Sequence, residues 1–478
     1  MQMNNYANAN YINGEWYSNG DGTYLEVKNK FSGENLSKLP NATQQQMNKA
    51  IESAQAAFEV YRRLSVGERV NLMQKLFQKL RENKDQMVDL IVAEAGKPRT
   101  YAETELERSL STLQFAIEEV KHFSGEVIQM DFANGEGRKA FTQHFPIGVV
   151  ACITPFNFPL NLLMHKVAPA LAVGCSLVVK PPPQAPLSAF ALAEMMQEVG
   201  FPLGVINVLN CQIEVAEQLV KDERPKMLSF TGSDKVGWHL KSICGKKKCV
   251  LELGGNAAAL VDLDVSVKEP AEKLAKAAFL YAGQICISTQ RIFVHKAIFE
   301  SFKKAFIQET EKLKVGDPND VKTWVGPLID EKAFKRTKEW IAEAKTQGAE
   351  LLTGGKVLDE ESRLIAPTVF TSTNREMKIY SEEAFAPIAV LEKVDSFEEG
   401  LKAVNDSRYG LQAGVFTNNL AHFKLAVDQL QVGGIIFNDS PGFRIDHMPY
   451  GGVKDSGLGK EGLKYSMQEM TEERLVVY

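Results

Sequence analysis

No apolar run in this sequence is long enough to cross a membrane as a helix. The longest, "VAPALAVGCSLVV" at 167–179, is interrupted by Pro169 and falls short of the roughly 20 residues a span needs. The segment "MQMNNYANANYINGEWYSNG" has neither the basic nor the apolar region of a secretory leader. A cytoplasmic protein without a membrane partner is expected. Excess charge is missing as well: 55 Lys and Arg face 60 Asp and Glu, for a net charge of −5. Nothing therefore points to a nucleic-acid partner, and the basic cluster "GKKKC" at 245–249 reads as a solvated turn. Cysteine is sparse, its six copies (152, 175, 211, 244, 249 and 286) scattered too widely for a disulfide framework. Cys244 and Cys249 are followed by no second Cys/His pair at ligand spacing, so no metal site is expected. Internal repeats and low-complexity linkers are also lacking, which implies tightly docked domains. A length of 478 residues suggests two or three of them.

What is present is periodic. Val70, Met73, Phe77 and Leu80 recur at helical spacing, as do Leu106, Leu110, Leu113 and Ile117. The first hundred residues read as largely helical after a strand and turn at "YINGEW". Two extended runs around Asn134-Gly135, within 125–145, read as a hairpin. From Pro146 apolar runs such as "IGVVACI", "SLVVKP", "VINVL" and "MLSFTGS" alternate with helical stretches. Uniformly apolar strands in such alternation imply a parallel sheet covered by helices, with ligands at the strands' carboxyl ends. A second βα region runs from about 257 to 440. The tail "EERLVVY" would be an exposed edge if unpaired. It is expected to pair with the hairpin or with another subunit.

Several strand ends carry chemistry-bearing residues. "FTGSDKVGW" offers Gly232 and Gly237 at a helix start, where backbone N–H groups can hold a phosphate. It is neither G-x-G-x-x-G nor a P-loop, since Trp238 stands where a P-loop has lysine. Glu252 in "LELGGN" reads as a functional carboxylate or an ion-paired one. Asn157 in "CITPFNFPL" reads as an oxyanion donor or a turn residue. Lys180 ends another strand. Cys286 lies in "GQICISTQ" with no histidine nearby, and a free cysteine in apolar surroundings is ordinarily core filling.

In order along the chain, "TPFNFPL", "VVKP", "FTGS", "LELGG", "GQICISTQR", "EEAFAP" and "PYGGVKDSGLGKEG" resemble the aldehyde dehydrogenase family over essentially its whole length. The resemblance implies an α/β fold: a Rossmann-like cofactor domain, an α/β catalytic domain and a small β bridging or oligomerisation element. The implied boundaries are 1–124 and 144–254, with a return segment 441–461, for the first. They are 255–440 for the second, and 125–143 with 462–478 for the third. Cys286 would be the nucleophile, Asn157 an oxyanion donor and Glu252 the base for hydrolytic water. Thr154, Pro155, Lys180, Thr231, Gly232, Ser233, Gly237, Leu253, Glu383 and Phe385 would hold NAD or NADP. Pro183 stands where NAD-preferring members commonly have an acidic residue, so both cofactors stay open. Phe156 and Ala386 replace the usual tryptophan and glycine without consequence for the reaction.

The resemblance further implies a small polar or anionic aldehyde, as in the branch that handles lactaldehyde, phosphonoacetaldehyde and glyceraldehyde 3-phosphate. Arg108, His165, Asn438 and Arg444 are the candidate substrate residues, with His447 beside them. The alternative for Arg108 and Arg444 is a solvated helix face and a loop brace. Ile285 stands where phosphate-binding members often carry arginine. A homodimer or homotetramer is expected. A CoA-acylating enzyme and a catalytically silent protein of the same fold are the competing readings, and Glu252 and the intact Cys286–Asn157 pair weigh against them.

Overall fold

The computed structural model describes residues 8–478. Four helices, Gln44–Tyr61, Val66–Glu82, Lys84–Ala95 and Arg99–Glu119, fill the N-terminal region as the periodicity requires. The first two open with capping boxes, Thr43 with Gln46 and Ser65 with Glu68, which satisfy otherwise orphaned N–H groups. Ahead of them lies a hairpin that the periodicity does not reveal, Tyr24–Lys28 against Asn35–Pro40. Five of its eleven side chains are exposed, and its buried positions, Val27, Ser37, Leu39 and Pro40, include a serine and a proline, with Leu25 and Leu36 half-buried beside them.

The alternation from Pro146 forms a parallel sheet. Its central strands lie in the order Ile206–Val208, Ser176–Lys180, Val149–Ile153, Pro225–Thr231, Lys248–Glu252. Val149–Ile153 is buried along its whole length, as a strand covered on both faces must be. A separate first hairpin, Asn10–Ile12 against Glu15–Tyr17, closes one edge through Tyr11 opposite Val208, and Gly457–Leu458 closes the other. Strand order reverses beside Val149–Ile153, which opens a crevice between its carboxyl end and that of Pro225–Thr231.

A second sheet of seven strands runs from Glu350–Thr353 at one edge to Gly434–Phe437 at the other. Only the Glu350–Thr353 strand is antiparallel. The first sheet has an apolar core on each face and the second sheet has its own, and a fourth, small cluster, including Phe158, Ile285 and Tyr450, lies where the two halves meet.

The C-terminal strand Thr471–Val477 pairs over its full length with Ala140–Pro146, from Thr471 opposite Pro146 to Val477 opposite Ala140. The tail thus finds the hairpin. That hairpin differs from its expected form: its first strand is only Val127–Ile128, and Asn134-Gly135 sits inside a long connection. Ala133 and Asn134 are left-handed there, at φ 50° and 70°. The polar, glycine-rich stretch between Ile128 and Ala140 has no apolar face with which to extend a strand.

Candidate active site

Loops at the carboxyl ends of the first sheet enclose a cleft of about 490 Å³. Thr154, Pro155, Phe156 and Asn157 follow one strand into it, Lys180 ends the next, and Thr231, Gly232 and Ser233 follow a third. Glu252 and Leu253 close its floor, and Glu383 and Phe385 enter from the second half. Ser233 caps the helix Asp234–Ile243, its hydroxyl accepting from the Val236 N–H. The open N-terminus of that helix faces the cleft and suits an anionic group.

Gly237 does not line this cleft. A Cβ there would stand 2.3 Å from Leu253 Cδ2, so the glycine lets helix and strand pack closely. Gly254 is required in the same way, because a Cβ would strike the Glu383 carboxylate at 2.4 Å. Glu383 accepts from the Gly255 N–H at 2.8 Å, and its burial raises its pKa to about 7. Phe156 and Phe385 meet edge to face, with ring centroids 5.7 Å apart.

These residues fit a dinucleotide. The Thr154 hydroxyl is buried without a hydrogen-bond partner, and burial lowers the pKa of Lys180, which lines the cleft. A ligand with hydroxyls and phosphates would satisfy both.

A second cavity, of about 350 Å³, lies on the other side of Cys286. Among the described residues, only Cys286 and Leu162 line both spaces. The segment carrying the thiol is bent sharply: Tyr281, Ala282 and Gly283 are all left-handed, at φ 52°, 55° and 69°. Such backbone is costly for non-glycine residues and concentrates at functional sites. Burial pushes the Cys286 thiol up to about 11, opposed by the Tyr450 hydroxyl and the Arg444 charge.

Asn157 donates one amide hydrogen to Gln284 O at 3.0 Å, which fixes its side chain beside the cysteine segment. The second hydrogen remains available, and Oδ1 is buried without a donor. Glu252 is buried, and neither carboxylate oxygen has a hydrogen-bond partner. The nearby Glu461 N–H is spent on Tyr450 O at 2.7 Å. Desolvation, then the Glu461 charge, raises the Glu252 pKa well above the carboxylate range, against the pull of Arg444 and Lys166.

Arg108 and Arg444 both line the second cavity, neither on a solvated face. Arg108 grips Asp446 through Nη2 at 2.7 Å and Nε at 3.2 Å. Arg444 pairs with Glu461 at 3.2 Å and lies 3.6 Å from the centroid of the Tyr450 ring. Its Nε–H is buried and unpaired. His165 stands behind this wall, with Nε2 2.9 Å from Asp446 Oδ1. Burial would raise Asp446, yet the His165 and Arg108 contacts hold it well below the usual range.

Asn438 is a correction. Its side chain turns from the cavity to accept from the Thr417 N–H at 3.1 Å, which fixes a left-handed strand end. Its neighbours Asp439 and Ser440 line the cavity instead. His447 likewise packs against Phe115, with ring centroids 4.7 Å apart and planes tilted by 51°, and is not among the cavity residues.

Sequence reasoning passed over Tyr450, Lys166, Glu461 and Asp446. Tyr450 and Glu461 lie inside "PYGGVKDSGLGKEG", and Asp446 just ahead of it. Lys166, one residue past His165, is buried and donates to Ser229, Thr231 and Glu461. No pattern within its apolar helix marks it.

A thiol held between a dinucleotide-sized cleft at a sheet switch point and a small cation-walled cavity defines a cofactor-linked oxidoreductase. The model of the aldehyde dehydrogenase family matches residues 16–476. The chain belongs to that family. It is 42% identical over 469 residues to a 3-sulfolactaldehyde dehydrogenase of Priestia megaterium, covering 98% of this chain and 97% of the relative. A lactaldehyde dehydrogenase of Methanocaldococcus jannaschii is 37% identical over 472 residues, covering 98% and 99%. Among solved structures, aldehyde dehydrogenase 21 from Physcomitrella patens, in complex with the reaction product succinate, superposes with a TM-score of 0.94. Identity is 38%, covering 98% of both chains. The NADP complex of NADP-dependent glyceraldehyde-3-phosphate dehydrogenase from Bacillus halodurans superposes with a TM-score of 0.95 at 33% identity, covering 98% and 99%.

Proposed function

We propose that this enzyme oxidises a small anionic aldehyde to its carboxylic acid, using Cys286 as nucleophile. The observation that carries the reading is the position of Cys286 as the one ionisable side chain, among the described residues, that lines both cavities. Attack of its thiolate on the aldehyde carbon creates an oxyanion, for which the free Asn157 amide hydrogen is a ready donor. Collapse of that adduct to a Cys286 thioester releases a hydride, for which oxidised nicotinamide bound in the cleft is the acceptor. Glu252 then takes the proton of the water that cleaves the thioester.

The cofactor is NAD or NADP. Thr154, Pro155, Lys180, Thr231, Gly232, Ser233, Leu253, Glu383 and Phe385 line its cleft, and Gly237 sets the helix that faces it. The stretch from Lys180 to Gln184 contains no carboxylate to repel a 2′-phosphate.

An anionic substituent is favoured by the two arginines on the cavity wall and the unpaired Arg444 Nε–H. Planar guanidinium groups suit carboxylate, sulfonate or phosphate. The relatives named for 3-sulfolactaldehyde and glyceraldehyde 3-phosphate act on such aldehydes. The reading also assigns 1–124 and 144–254 with 441–461 to the cofactor domain, 255–440 to the catalytic domain, and 125–143 with 462–478 to a bridging element. It places the enzyme in the cytoplasm as a homodimer or homotetramer. Support for self-association comes from the strand Thr471–Val477, which forms the open edge of its sheet and exposes Leu475, Val476 and Val477.

The test is steady-state turnover on a panel of aldehydes with each cofactor and without CoA. Sulfonated or carboxylated aldehydes should show a higher kcat/KM than propanal. A preference for propanal would overturn the anionic substrate, and a requirement for CoA would overturn hydrolysis. Arg444→Met should raise KM for the anionic aldehyde at least tenfold more than for propanal, the range expected when one charged hydrogen bond is lost. Asn157→Ala should lower kcat by about 10²- to 10³-fold, the usual loss for one oxyanion donor. An unchanged single-turnover rate would remove Asn157 from that role.

A further inference from the structure

Burial keeps the Cys286 thiol protonated, and no lysine, arginine or histidine is hydrogen-bonded to it. One side chain does touch it. The Tyr450 hydroxyl lies 3.2 Å from Sγ and has no other hydrogen-bond partner among the described residues. A thiolate can only accept a hydrogen bond. When Cys286 loses its proton to solvent water, Tyr450 must therefore be the donor.

The tyrosine is held from several sides. Its N–H donates to Glu461 O at 3.0 Å, and its carbonyl accepts from the Glu461 N–H at 2.7 Å. The Arg444 guanidinium carbon lies 3.6 Å from the ring centroid. A cation over the ring face draws electron density from the phenol and strengthens its O–H as a donor. Gly451 follows at a point where a Cβ would stand 2.6 Å from Gly459 O and 3.3 Å from Glu252 Oε1. The glycine thus lets one loop reach both the thiol and the buried carboxylate.

We propose that Tyr450 is a catalytic residue whose hydroxyl donates to Cys286 Sγ and stabilises the attacking thiolate, with Arg444 supplying positive charge through the ring. This rests on the reading of Cys286 as nucleophile. The phenol keeps its proton throughout. It answers how a thiol in apolar surroundings is activated without a histidine, and it gives a tyrosine, rather than a phenylalanine, a purpose in a well-packed aromatic position.

The test is alkylation of Cys286 by iodoacetamide in Tyr450→Phe, followed peptide by peptide by mass spectrometry between pH 6 and 10. Phenylalanine keeps the ring and the Arg444 stack and removes only the donor. Raising a thiol pKa by one unit cuts the thiolate fraction tenfold but raises its intrinsic nucleophilicity about threefold, so alkylation below the pKa should slow about threefold per unit. The acid limb of kcat/KM should move to higher pH in parallel. A loosened loop would do the opposite, because a more exposed thiol reacts faster. Alkylation that is unchanged or faster therefore overturns the proposal. Should the Phe variant fail to fold, Arg444→Met is expected to slow alkylation in the same sense, and an unchanged rate there overturns it equally. Full turnover by Cys286→Ala would sink the nucleophile itself. A dead Cys286→Ala with normal alkylation in Tyr450→Phe would sink Tyr450 alone.

Discussion

Cys286→Ala should lower aldehyde-dependent NAD(P)H formation by on the order of 10⁴- to 10⁶-fold, the range for loss of a covalent nucleophile. The removed sulfur is the atom between the two cavities, and no neighbour can substitute for it. The other five cysteines are Cys152, Cys175, Cys211, Cys244 and Cys249. None of them lines either cavity. Stability should change little, because alanine preserves the backbone and the cavity is already open on both sides. Cofactor binding, read by quenching of protein fluorescence, should persist in the variant. A variant that binds cofactor and turns over normally would refute covalent catalysis. One that neither binds nor turns over would point to a collapsed cleft.

How far the sequence carried the argument depended on the range of the forces involved. The parallel sheet was legible because each strand is buried on both faces, and "IGVVACI" or "SLVVKP" therefore announces itself locally. Cys286, Glu252 and Asn157 were legible for another reason: they stand in short motifs in family order. Tyr24–Lys28 and its partner strand were not legible, since one face of that hairpin meets water and its buried positions, Val27, Ser37, Leu39 and Pro40, mix apolar residues with a serine and a proline.

The charged wall of the second cavity was half legible. Arg108 and Arg444 were identifiable as residues, but the carboxylate on Arg108 comes from far along the chain, and the one on Arg444, 17 residues away, also holds the distant Lys166. Asp446 reaches Arg108 across 338 positions, and Glu461 reaches Lys166 across 295. Such contacts leave no periodicity, and only the folded chain brings them together. Asn438 shows the converse. It sits in a suggestive motif, yet a left-handed backbone turns its amide onto Thr417 and leaves Asp439 and Ser440 on the cavity wall.

Glu252→Gln should separate the two halves of the reaction. The variant should release one equivalent of NAD(P)H per site in a rapid burst and then slow by about 10²- to 10⁴-fold, the range for a lost general base. The burst draws on Cys286, Asn157 and the Tyr450 donor, whereas hydrolysis of the thioester needs a proton acceptor for water. The buried carboxyl suits that step once ionised, because both of its oxygens are free of hydrogen-bond partners. Its pKa is raised, first by burial and then by Glu461, so it is protonated at low pH and gains activity as pH rises. Turnover limited by hydrolysis should therefore climb with pH in the parent enzyme and lose that limb in the variant. Added CoA distinguishes the competing chemistry, since a thiol resolves a thioester without help from Glu252. Restoration of full turnover by CoA would identify an acylating enzyme. Steady turnover without a burst or a stall would remove Glu252 from the hydrolytic step.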